Sequence, residues 1–190
     1  MREYRQLLRE APFELVSLED LGITAEVEET GSTFHENARL KARSYAALSG
    51  MLTLADDSGL EVDALGGEPG VRSSRYGDSQ AASDQDRVRL LLKKLAGVPW
   101  ERRTARFRCV IAIATPAGEV EYAEGVFEGR IGYELRGDNG FGYDPIFVVA
   151  GREVTSAELP PDEKNAMSHR GQAAKKALQM LKARGQESHG

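Results

Sequence analysis

Residues 104–115, TARFRCVIAIAT, alternate with a period of two, and after the turn PAG at 116–118 the chain comes back as EVEYAEGVFEG. Alternate residues of a strand face opposite sides of a sheet, so this stretch reads as a long antiparallel hairpin. The flanking sequence has a different period. In GSTFHENARLKARSYAALSG, Thr33 and Glu36 form a T-x-x-E capping box and Gly50 is a stop signal, so the segment reads as a helix. A second helix runs through SDQDRVRLLLKKLAG, with Val88, Leu91, Leu92 and Leu95 as its apolar stripe. A third, SHRGQAAKKALQMLKA, turns Ala174, Leu178 and Leu181 inward.

Shorter elements fill the remainder. MREYRQLLREA reads as a helix with Tyr4, Leu7 and Leu8 on one side, although neither a cap nor a strand precedes it. Phe13–Val16 is a strand candidate, and MLTLA at 51–55 is a strand running into Asp56 and Asp57. EVDALGGEPG is a loop, and GRIGYELRGDNGFGYDPIFVV mixes a glycine-rich loop with a short apolar strand. Helices alternating with strands around a hairpin predict an α/β fold with a mixed sheet flanked by helices. The expected organisation is one elongated, two-lobed domain with a central cleft over residues 1–184, and a flexible tail at 185–190.

Composition excludes several classes. A net charge of -5 argues against a general nucleic-acid binder, which shows a basic excess. No apolar run has the length of a membrane span, and the N-terminus lacks a signal-peptide core. The one cysteine, Cys109, permits no disulfide within the chain, which fits a cytoplasmic protein, and its place in a strand pattern makes it a core residue. The histidines 35, 169 and 189 are scattered and have no zinc spacing.

Three stretches carry candidate chemistry. Asp56 and Asp57 lie side by side where Ser58–Gly59 is expected to end the strand. Two close carboxylates without a cation repel, and a divalent ion shared with phosphates relieves them; a solvated turn is the alternative. In GDNGFGYD, glycines flank Phe141 and Tyr143, which either stack on a flat ligand or plug the core. In EKNAMSHRGQA, Ser168 is an N-cap candidate that puts His169 and Arg170 in a helix's first turn. The macrodipole disfavours cations there, so these two either donate to an anion or carbonyl or sit there by chance.

Taken together, ETGSTFHENARLKA, ADDSGLEVDALGGEPGVRSSRY, NGFGYDP and EKNAMSHRGQA resemble the inosine triphosphate pyrophosphatases, and the resemblance covers nearly the whole chain. It implies hydrolysis of ITP, dITP or XTP to the monophosphate and pyrophosphate with Mg²⁺ by a cytoplasmic homodimer. It implies Asp57 as metal ligand and base, Glu29 as the other metal-linked acid, and Asp56 in support of the cluster. Ser58, Phe141, Gly142, Tyr143 and Asp144 would enclose the nucleotide, Lys164, His169 and Arg170 would hold the base, and Lys41 would reach the phosphates. A keto oxygen at position 6 accepts where adenine donates, so Arg or His donors favour inosine and xanthine. Family members begin with a strand and a T-x-N-x-x-K loop that precede the helix read here as REYRQLL. That difference leads us to expect an upstream start or a phosphate site impaired in this form. A Maf-like pyrophosphatase and a nucleotide-binding module without turnover are the rival readings.

Overall fold

The computed structural model describes residues 2–78, 81 and 83–187. The architecture is α/β. One sheet of four strands, β1 (Thr53–Val62), β2 (Thr104–Ala114), β3 (Val120–Ile131) and β4 (Phe147–Val149), is ordered β1-β2-β3-β4, so neighbours in sequence are neighbours in the sheet. The helices are α1 (Arg2–Leu7), α2 (Phe34–Ser49), α3 (Asp84–Lys94), α4 (Pro161–Met167) and α5 (His169–Glu187). Among the described residues no helix is long and apolar enough to cross a membrane.

The local signals explain most boundaries. Thr33 and Glu36 close the expected capping box on α2, and Gly50 ends it in the left-handed region at φ 67°. The β2–β3 hairpin is closed by Thr115 N–H donating to Glu119 O at 3.0 Å. β3 pairs antiparallel with β4, with Gly129 opposite Val149. Glycine is required at 129, because a Cβ there would stand 2.4 Å from the Val148 carbonyl oxygen.

Three expectations are corrected. Phe13–Val16 is not a strand. Its apolar residues favour extended backbone, but a strand also needs a hydrogen-bonded neighbour, and the segment runs instead into a turn where Ser17 and Asp20 bond each other's amides. The hairpin's alternation holds only at the start of β2. From Cys109 to Ala114 every residue is buried, so both faces of the strand are covered there. Finally, α5 continues through residues 185–187, which are helical rather than a loose tail; residues 188–190, His189 included, lie outside the described residues.

The chain divides into two compact units. The first comprises residues 1–57, 109–125 and 170–190. Its core joins Leu8, Cys109, Ile111 and Ile113 to the small-residue face of α5 at Ala173, Ala174 and Ala177. A groove of about 760 Å³, lined by apolar residues including Leu8, Val16, Leu18, Leu52 and Leu54, borders Thr53–Asp56 of the edge strand. The second unit comprises residues 58–108 and 126–169. There Val88 and Leu91 of α3, with Leu95 at its C-cap, pack with Leu60, Phe107 and Phe147.

Arg103 is 2% exposed in the second unit and has no carboxylate bonded to it among the described contacts. It donates to the carbonyls of Ile131 (2.8 Å), Leu95 (3.0 Å), Val98 (3.3 Å) and Gly132 (2.8 Å). The Tyr133 ring lies 4.3 Å from its guanidinium carbon. A planar fork of five donors can clip the end of α3 to the end of β3 in this way, and an ammonium cannot. Arg103→Met removes its donors from these carbonyls, of which Leu95 O keeps the Val98 N–H, and we expect a loss of at least about 3 kcal/mol in urea unfolding. Arg103→Lys should recover less than half of it. A midpoint within error of the wild type in Arg103→Met would show that the clip contributes nothing, and one in Arg103→Lys that the planar fork is not required.

Candidate functional site

β1 does not stop at Ser58–Gly59; it continues to Val62. Asp56 and Asp57 therefore keep the alternation of a strand and face opposite sides. The expectation that the strand's end would turn both carboxylates to one ligand is corrected, and so is the expectation that they lack cations. Asp57 is buried, accepts from Asn37 Nδ2 at 3.1 Å and has Lys41 Nζ at 3.5 Å. Asp56 has Arg170 Nε of α5 at 3.6 Å and Cys109 Sγ at 3.9 Å. Asp56 thus has its own direct partners, while its charge, like that of Asp57, also favours the Lys41 ammonium.

Asn37 and Lys41 lie one turn apart on α2 and reach the same spot. Asn37 is fully buried. Its Oδ1 accepts from Gly31 N–H at 2.8 Å, which fastens the loop that carries Glu29. A Cβ at Gly31 would stand 2.6 Å from that oxygen, so the approach requires glycine. Lys41 Nζ then donates to Glu29 Oε1 at 2.5 Å. An ammonium is thereby held between two carboxylates. The sequence reading missed Asn37, although it sits in the buried stripe with Phe34, Ala38 and Ala42. An amide in such a stripe is the signal, since a buried polar group needs partners.

Burial pushes the Asp57 carboxyl above the usual aspartate range, and the charge of Glu29 adds to this. Lys41 and the Asn37 amide pull it back without cancelling the rise. For Lys41, burial alone would lower the pKa, but the bond to Glu29 and the charge of Asp57 outweigh it and hold the ammonium above ordinary lysine. The cluster therefore favours a cation at this spot while keeping a carboxylate basic enough to take a proton. Among the described residues no three His, Cys, Asp or Glu side chains form a metal-holding group. Glu29 and Asp57 nevertheless fit Mg²⁺, which commonly takes one or two carboxylates and completes its shell with phosphate oxygens and water.

A second arrangement, Arg170 aside, lies in the other unit. Phe141 is 60% exposed, whereas Tyr143 is buried and donates its hydroxyl to Ser73 O at 2.9 Å. The two readings of this loop therefore divide between its aromatics: Tyr143 anchors the core and Phe141 presents its ring. Asp144, buried, accepts from Phe141 N–H at 2.9 Å and from Lys164 Nζ at 2.5 Å. Lys164 also lies 5.4 Å from the Phe141 ring centroid. Gly140 passes so close that a Cβ would stand 2.2 Å from Asp144 Oδ2. His169 stacks on Phe107 with ring centroids 4.9 Å apart and planes 12° apart. His169 and Arg170 do open a helix, with buried Ser168 directly before it. Ser58 follows Asp57 within β1 and is half-buried.

Residues 1–180 match the model of the Ham1 family. The chain is 46% identical over 183 residues to a dITP/XTP pyrophosphatase of Bacillus subtilis, covering 96% of this chain and 92% of that one. It is 53% identical over 184 residues to a dITP/XTP pyrophosphatase of Symbiobacterium thermophilum, covering 96% and 90%. Among solved structures, a HAM1 protein from Coxiella burnetii superposes with a TM-score of 0.89 at 44% identity, covering 96% of this chain and 92% of that one.

The buried amide yields a prediction. Asn37→Leu removes the donor to Asp57 and the acceptor for Gly31, and should cost about 1–3 kcal/mol of stability. It should also raise the Asp57 carboxyl further, followed by NMR titration of its carboxyl carbon. If the titration midpoint stays put in a folded variant, Asn37 does not govern Asp57.

Proposed function

The chain belongs to the Ham1 family, and on that premise we propose that it hydrolyses the non-canonical purine nucleoside triphosphates ITP, dITP and XTP to the monophosphate and pyrophosphate. The observation that carries this is the 46% identity to a dITP/XTP pyrophosphatase across 96% of the chain. We assign one pyrophosphatase domain to residues 1–184.

The chemistry asked of the residues is water attack on phosphorus with departure of pyrophosphate, as the bond between the α- and β-phosphates breaks. Asp57 takes the proton of the attacking water, a role its raised pKa suits. Asn37 fixes the orientation of that carboxylate, and Lys41 keeps a positive charge beside it. Glu29 and Asp57 would hold Mg²⁺, which when bound supplies neutralisation of phosphate charge. The exposed Phe141 ring offers a stacking face to the base, with the Lys164 ammonium beside it. Gly142, Asp144 and Ser58 line the nucleotide's path in this assignment, and Tyr143 holds the loop in place. Lys164, His169 and Arg170 supply donors to a keto oxygen at position 6, where the amino group of adenine would be opposed.

We further assign a homodimer, for which the exposed pair Trp100 and Tyr133, with ring centroids 6.3 Å apart, offers an apolar surface. A cytoplasmic location is in keeping with a single, buried cysteine that forms no disulfide within the chain.

The direct test is product analysis with ITP, XTP and ATP at fixed Mg²⁺. Pyrophosphate should appear first from ITP and XTP, with ATP hydrolysed far more slowly. Orthophosphate as first product, or equal rates on ATP, would overturn the assignment. Asp57→Asn keeps the shape but loses the basicity, so kcat should fall by about 10²–10⁴-fold. A folded variant that loses less than about tenfold would remove Asp57 from the role of base. Arg170→Ala should narrow the ratio of kcat/KM for ITP over ATP; an unchanged ratio would make Arg170 structural.

A further inference from the structure

We propose that Asp84, the first residue of α3, is a positioning residue that latches the 140–144 loop and thereby sets nucleoside affinity; the second half of this statement rests on the nucleotide assignment above. Asp84 Oδ2 accepts the Gly142 N–H at 3.0 Å. Its other oxygen is held by Arg87, one turn along the helix, whose side chain is only 18% exposed. Arg87 in turn donates to Ala81 O at 3.4 Å. The carboxylate is thus oriented from beneath before it meets the loop.

Gly142 is the point of the loop that needs such a tie. Its neighbours are fixed by other means: Tyr143 by its buried ring and its bond to Ser73, Phe141 N–H by Asp144, and Gly140 by tight packing under Asp144 and Lys164. Gly142 adopts φ +60°, and a Cβ built on it would meet no atom within 4 Å. Open space thus lies where a side chain would stand; among the described contacts the carbonyl of its peptide is held by Asp144 N–H at 3.3 Å, and glycine has the widest conformational freedom of any residue. Gly142 also lies between the buried ring of Tyr143 and the exposed ring of Phe141. A change in its dihedrals swings Phe141 away from the Lys164 ammonium while the core stays intact. A hydrogen bond to a charged acceptor supplies the missing restraint, and it acts before the ligand arrives.

The test compares Asp84→Ala, Asp84→Asn and Asp86→Ala with the wild type by steady-state ITP kinetics and by amide hydrogen exchange at Phe141 and Gly142. Asp84→Ala should raise KM roughly three- to tenfold, the worth of one hydrogen bond, with kcat within about twofold, and should speed exchange at Gly142. Asp84→Asn keeps an acceptor for the Gly142 amide and should stay within about twofold of the wild-type KM. Asp86 forms the capping box with Ser83 on the same helix, so Asp86→Ala should lower the melting temperature and leave KM and Gly142 exchange unchanged. An unchanged KM in Asp84→Ala, or an equal rise in Asp86→Ala, would overturn the proposal, the second outcome because it reports helix stability alone. If the wild type does not hydrolyse ITP, the nucleotide assignment fails instead. The exchange data then decide the latch: faster Gly142 exchange in Asp84→Ala alone sustains it, and equal exchange removes it.

Discussion

Lys41 holds the acidic cluster together. Without an ammonium between them, Glu29 and Asp57 would be two carboxylates drawn close to one point inside the protein, and one would keep its proton. The helix that presents Lys41 also presents Asn37, which reaches both Asp57 and the glycine loop leading from Glu29. The position of α2 is in turn fixed by the reciprocal bonds of Thr33 and Glu36 at its start. Cap, helix face, amide and ammonium form one chain of causes that ends at the carboxylate.

The continuation of β1 divides the aspartate pair into two tasks. Asp57 faces Asn37 and Lys41, while Asp56 faces Arg170 and Cys109. The two adjacent acids thus take different direct partners, although both charges favour the Lys41 ammonium. Arg170 in the first turn of α5 opposes the helix dipole, and Asp56 offsets that cost directly. The local charge conflict visible in SHR is thus met partly within the fold, so a ligand is not its sole explanation.

The sequence made the helices and the hairpin legible because each carries its own local signal: a capping box, a stripe or a period of two. It misplaced Phe13–Val16 because pairing is a property of neighbours that residues 13–16 do not reveal. It placed the end of β1 too early because Ser58–Gly59 resembles a turn, whereas the strand is carried through it; farther along, Leu60 N–H bonds Ser73 Oγ at 2.8 Å. Asp57 was marked by its acidic neighbour, Glu29 and Lys41 by resemblance, and the structure supplies the reason they belong together. Asn37, Arg103 and Asp84 were not found. Arg103 sits among three other charged residues in WERRTAR, and nothing in that run marks the one whose donors all turn inward. Asp84 reads as an ordinary first-turn acid, because its partner lies 58 residues away.

The two lysine–carboxylate pairs show how similar contacts serve different ends. Lys164 and Asp144 are close, at 2.5 Å, and Asp144 also accepts from the backbone of its own loop. That carboxylate is used as a structural acceptor, and its ammonium partner lies near an exposed ring. Asp57 accepts no backbone hydrogen bond among the described contacts; it meets only side chains, an amide and an ammonium at 3.5 Å. Burial and the charge of Glu29 raise the Asp57 carboxyl, which keeps its affinity for a proton. Asp57 is thereby suited to proton transfer, while the bonds of Asp144 hold a loop in shape. Acidic residues of one type are thus sorted by the donors the backbone brings to them.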